Sequence, residues 1–223
     1  MSFPTQDVVA TSVAIHRANG GFFRKHDDEV FAGKKKSNSQ LLYRYFFEGD
    51  KVEVTDADKS EASDIIEYLQ GLGFKALERK LTDFESNVLK FVTSDEVGKE
   101  SIGIAASLPK VYKNKLESDK WQDRERDLGK KSEYIGTLHE RGNFDITIEF
   151  VKFIPKTVSY LVTANCKGNI IKFFAQDKIL GSSELKEGAN YSITAYVKSQ
   201  QVSKYSGFKE TMVNRLKVVE SIS

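Results

Sequence analysis

Five cations, Lys198, Lys204, Lys209, Arg215 and Lys217, share residues 198–217 with the rings of Tyr205 and Phe208, against the single acid Glu210. Positive charge holds phosphates through a salt-dependent attraction. Flat rings stack on unpaired bases without regard to their identity. The two together on one short stretch are what a protein needs to grip a single nucleic-acid strand. Two strand-like runs flank this loop, so the cluster sits on the last hairpin of the chain.

No comparable grouping supports catalysis. The chain has no G-x-x-x-x-G-K-[ST] phosphate loop, no G-x-G-x-x-G and no G-x-S-x-G elbow. Glu78 and Lys80 match the E-x-K piece of a metal-dependent nuclease. They open a helical stripe, however, where residues two apart point in different directions. Asp27, Asp28 and Glu29, like Asp56 and Asp58, read as turn and capping groups. His16, His26 and His139 lack the spacing of a metal site, and the lone Cys166 excludes an intramolecular disulfide. The expectation is a non-enzyme without cofactor. No basic leader precedes an apolar run and no segment is long enough to span a membrane, which predicts a cytoplasmic protein.

The elements that must position the cluster change character along the chain. At 223 residues, 39% hydrophobic and 30% charged, there is enough apolar material for a core. Residues from about 56 to 128 read as helices. Ala62, Ile65, Ile66, Leu69 and Leu72 recur at three- and four-residue spacing, and Leu77, Leu81, Phe84, Val88 and Phe91 make a second stripe. A third segment begins near Ser101 and meets Pro109, which can open a further helix at its first turn. The stretch "DVVATSVAIHRANGG" fits a helix or a strand. "LLYRYFFEGDKVEV" suggests a β-hairpin near 41–54, because its aromatic run suits a strand. Lys34, Lys35 and Lys36 form a basic loop, read as a solvated turn with a second nucleic-acid contact as the alternative.

After Ser132 the period becomes two. Phe144, Ile146, Ile148 and Phe150 alternate with polar residues, a hairpin is signalled at Lys167-Gly168-Asn169, and Tyr191, Ile193, Ala195 and Val197 face inward from one more strand. About five strands in some 90 residues predict a small barrel. The fold class is therefore α+β. A mainly helical region over 1–130 precedes a five-stranded barrel over 133–221.

The spacing of Leu185, Gly188, Tyr191, Ile193 and Val197, followed by a basic-aromatic loop and a last strand, resembles the end of an OB-fold. The stretch "KYSGFKETMVNRLK" is similar to a signature of phage-type single-stranded DNA-binding and replication-associated proteins, at Tyr205, Gly207, Lys209, Thr211, Arg215 and Lys217. The resemblance covers the C-terminal two fifths of the chain. It implies a protein that coats and protects single-stranded DNA during replication or recombination, in a host cytoplasm if phage-encoded. RNA stays open as a ligand, since nothing in the residues reads a 2′-hydroxyl. It also implies binding on the faces of the second and third barrel strands and on the loop joining the last two. That assigns Lys172 and Phe174 to the third strand, and Tyr196 and Lys198 to the outer face of the fourth. Tyr205 and Phe208 would stack, and Lys204, Lys209, Arg215 and Lys217 would hold phosphate. The bland reading of Phe208 is a plug at the barrel end. The helical region would then serve self-association or contact other replication proteins. The alternative from another class is an OB-like module that docks protein, with no nucleic-acid affinity.

Overall fold

The computed structural model describes the chain apart from Gly181, Tyr205 and Ser223, and apart from the side chains of Glu78, Ser183, Ser221 and Ile222. The fold is α+β, a helix-rich N-terminal region followed by a closed five-stranded barrel. The chain divides into two compact units, Met1–Glu117 and Ser118–Ser223. Among the described residues no helix is long and apolar enough to cross a membrane.

The first unit holds strand β1 (Ser2–Pro4) and helices α1 (Thr5–Ala18), α2 (Asp28–Phe31), α3 (Asn38–Phe47), α4 (Asp56–Gln70), α5 (Leu72–Glu78) and α6 (Asp83–Val92). Strand β2 (Glu96–Gly98) pairs with β1, and the long helix α7 (Ile102–Gly129) begins here. Val9, Leu42, Ile65, Leu69, Val88, Phe91 and Leu108 meet in one core. Three of the helices start with the same device. Ser37, Thr55 and Thr82 each accept from the backbone three residues on, while Gln40, Asp58 and Glu85 reach back. Such a capping box satisfies two orphan N–H groups at once and fixes where the helix begins.

This device corrects the hairpin expected near 41–54. Residues 38–47 are helical, because Ser37 nucleates the turn and helical spacing sends Leu42 into the core while Tyr43 and Phe47 stack at 5.0 Å. Strand propensity yields to capping and packing. The second apolar stripe is also broken. Thr82 starts a new helix, so Val88 and Phe91 are buried whereas Leu77 and Phe84 face outward. Residues 5–18 resolve as helix rather than strand. Pro109 does not open a helix but lies inside α7. Proline cannot donate to the carbonyl four residues back, and the Ser12 hydroxyl donates to that carbonyl, Ala105 O, at 2.8 Å.

In the second unit, strands β3 (Arg141–Ile154), β4 (Ser159–Cys166), β5 (Asn169–Ala175), β8 (Asn190–Val202) and β9 (Lys209–Ile222) close into a barrel. Around it they run β3-β4-β5-β9-β8 and back to β3. A two-strand flap, β6 (Ile179–Leu180) with β7 (Ser183–Glu184), interrupts the sequence. All barrel neighbours are antiparallel except β5 and β9, which run parallel and register only Ile170, Ile171 and Lys172 against Glu210, Thr211 and Met212. The expected alternation fills the interior with Ile146, Ile148, Val162, Ala164, Ile171, Phe173, Tyr191, Ile193 and Val197. The β4–β5 turn uses positive φ at Lys167 (53°) and Gly168 (86°), the backbone of a tight two-residue hairpin. Ser132 bridges the parallel seam: its hydroxyl donates to Lys209 O at 2.8 Å and accepts from Ile170 N at 2.9 Å. The architecture is compatible with an OB-fold-like barrel.

Candidate nucleic-acid interface

The barrel's outer surface carries two different arrangements. On β4 and β5, the strands where OB barrels commonly hold ligands, part of the face is already covered by residues 118–129 of α7. Trp121 stacks on Phe150 of β3 with ring centroids 5.6 Å apart, and the Lys152 ammonium sits 5.2 Å over the indole. Farther along the helix Glu125 reaches Lys172 at 2.6 Å, and Glu210 reaches the same ammonium at 2.8 Å. Burial alone would depress the pKa of Lys172, but the two carboxylates outweigh it and raise the pKa above the ordinary lysine value. Lys172 is 7% exposed, so its charge is spent inside the protein. Phe174, two residues on, is 56% exposed, lies beyond the β5–β9 pairing and stands apart from Lys172's enclosure.

The loop 203–208 is turned tightly by Ser203 N donating to Phe208 O at 2.8 Å and Gly207 N donating to Ser203 O at 2.9 Å. Gly207 has φ of 75°, the left-handed region open to glycine. Phe208 packs onto the end of α7: a Cβ built on Gly129 would stand 2.3 Å from its ring. Its ring therefore serves packing, as the plug reading anticipates. Lys209 pairs with Glu133 at 2.6 Å and lies 5.6 Å over the Tyr134 ring, and the bond to Glu133 raises its pKa. Lys204 is exposed. Tyr205 lies outside the described residues.

The second arrangement lies on β8, β9 and the start of β3. Tyr196 is half-buried, with the Arg215 guanidinium 5.4 Å over its ring and the His139 ring 6.4 Å from it. Two irregularities aim the cations. Between Thr194 and Tyr196, β9 advances three residues to β8's two, and Arg215 takes φ of 52° in that bulge. Between Val197 and Ser199 the excess passes to β8, at Lys198. Bulges re-aim side chains and leave a residue out of the ladder. Lys217 is registered against Thr194, and Arg141 of β3 is registered directly against Tyr196. Arg141, Lys198, Arg215 and Lys217 are all exposed, and among the described residues none has a carboxylate within ion-pair distance. The nearest registered acid on β3, Asp145, lies four residues along the strand and accepts from Ser192.

Of the residues expected from the sequence, the fold thus brings together Tyr196, Lys198, Arg215 and Lys217. It separates from them Lys172, held by two acids, and Phe208, packed on Gly129. His139 and Arg141 join the cluster without having been expected. Their signal was present in the alternation of Arg141, Asn143 and Asp145, which share the outward face of the strand that closes the barrel onto β8. No protein-family model, curated protein or solved structure matches the chain.

Proposed function

We propose that the chain binds single-stranded DNA, coating and protecting it during replication or recombination, by stoichiometric binding without turnover. The observation that carries this reading is the group of four acid-free cations, Arg141, Lys198, Arg215 and Lys217, around the Tyr196 ring. Exposed like charges repel one another, and a polyanion relieves that repulsion while releasing its counterions. Tyr196, His139 and the Arg215 guanidinium offer flat faces on which bases stack whatever their identity. Arg141, Lys198 and Lys217 then track the phosphates.

The test is fluorescence anisotropy of labelled oligo-dT against the full chain at several salt concentrations, with matched duplex as competitor. Arg215→Ala/Lys217→Ala is expected to weaken binding at least about tenfold and to flatten the salt slope by about 1.4, at roughly 0.7 per lost single-strand phosphate contact. Tyr196→Ala should cost about 1–3 kcal/mol of affinity with little change in that slope, because stacking rather than charge is removed. Double-variant affinity equal to the wild type's would remove this face from the reading. No binding at low salt by any form would leave the barrel as a protein-docking module.

A further inference from the structure

The first unit contains a cavity of about 500 Å3 bordered by Lys25, Lys36 and Lys99, with Tyr43, Ser39 and Gln40 between them. The three lysines come from separate segments: the loop after α1, the turn before α3 and the 3-10 turn after β2. All three are exposed, and none has a carboxylate within ion-pair distance among the described residues. Lys99 stands 4.9 Å over the Tyr43 ring, on the same side chain that stacks with Phe47. The fourth cation at the rim, Arg44, is already held by Glu48 and Asp50 at 3.2 and 2.9 Å.

The loop that presents Lys25 and Lys36 is built from costly parts. Asn38 is 1% exposed; its Oδ1 accepts from Asn19 and from Phe23 N, both at 3.0 Å, and its Nδ2 donates to Gly21 O at 3.0 Å. The neighbouring Lys35 is tied down, donating to Asn19 O at 2.9 Å with its ammonium over Phe23. Buried polar groups persist only when fully bonded, and here they fix a loop whose lysines point at one another's charge. Unneutralised like charges on an ordered scaffold favour bound anion.

We infer that this groove is a second anion site, taking a phosphate group whose attached base or sugar lies against Tyr43. Lys25, Lys36 and Lys99 would neutralise the phosphate, and Ser39 and Gln40 in the first turn of α3 would supply hydrogen bonds. The inference stands independently of the barrel face. The phosphate has two sources, a strand's backbone or a free nucleotide, and the test separates them.

Backbone amide shifts of Ser39 and Gln40 are followed in the full chain carrying Arg215→Ala/Lys217→Ala, so that binding on the barrel face does not intrude. Inorganic phosphate, dTMP and short oligo-dT are titrated in turn at low salt. Saturable shifts with oligo-dT alone assign the site to a strand, and shifts with dTMP or phosphate as well assign it to phosphate in general. Either supports the site if Lys36→Ser/Lys99→Ser weakens it about tenfold or more, the effect of losing one or two charge-assisted bonds. These lysines are exposed, so the variant keeps the fold, which the remaining amide spectrum verifies. Absence of shifts with all three probes, or shifts indifferent to the lysine variant, overturns the inference.

Discussion

Asp58 does two jobs from one nearly inaccessible carboxylate. It closes the capping box of α4, accepting from Thr55 N at 2.8 Å, and it takes both Nε and Nη2 of Arg17, at 3.1 and 2.8 Å. The Arg17 hydrogen bonds, with help from Thr55, pull its pKa from 3.8 down to about 2 against the opposing effect of burial. A depressed carboxylate contributes stability that is complete above its unfolded pKa and lost as pH falls through its folded one. Wild-type stability should therefore fall by about 1–2 kcal/mol from this group between pH 4 and pH 2, allowing for solvent screening at the exposed arginine. Asp58→Asn should be less stable at pH 7 and show a shallower decline across that window. Urea midpoints measured from pH 7 to pH 2 check this, and parallel curves for the two proteins would disprove it.

At the scale of elements, the end of α7 and the loop 203–208 hold one another through a missing side chain. Alanine in place of Gly129 would gain about 1 kcal/mol of helix propensity. Its Cβ would meet the Phe208 ring at 2.3 Å, and such overpacking costs about 1–3 kcal/mol. The clash wins, so Gly129→Ala should lower the melting temperature, and adding Phe208→Ala should restore part of the loss; a simple stabilisation by Gly129→Ala would contradict the packing. The barrel strands were legible in sequence because one face of each is buried, which forces the alternation seen at Ile146 and Ile148 or Tyr191 and Ile193. Helix α3 was not, since "LLYRYFF" satisfies either period and only the Ser37 cap and the placement of Leu42 decide between them. The fate of Lys172 was hidden for another reason. Alternation correctly turns it outward from Phe173, but the covering Glu125 is 47 residues away, on a helix whose path over the barrel no local pattern encodes. Half of the basic-aromatic cluster was readable on β8 and β9. Arg141 and His139 required knowing which strand closes the ring.

For the molecule as a whole, the consequence lies in the seam where β5 and β9 run parallel. Three registered pairs close the ring there, and the Ser132 hydroxyl supplies a further rung between Ile170 N and Lys209 O. Ser132→Ala should cost about 1–3 kcal/mol, because both backbone groups lose their partner in a buried place. Chemical denaturation measures the loss, and an unchanged midpoint would show that the rung is dispensable. A ring of strands has no ends to offer a neighbour, which is the protection that closure confers. Parting this one seam would free the β5 and β9 margins together, each with the hydrogen-bonding pattern the other had satisfied. Two opened copies would then be mutual templates, so loosening a single hydroxyl should turn up as concentration-dependent, strand-exchanged association well before the helical unit melts.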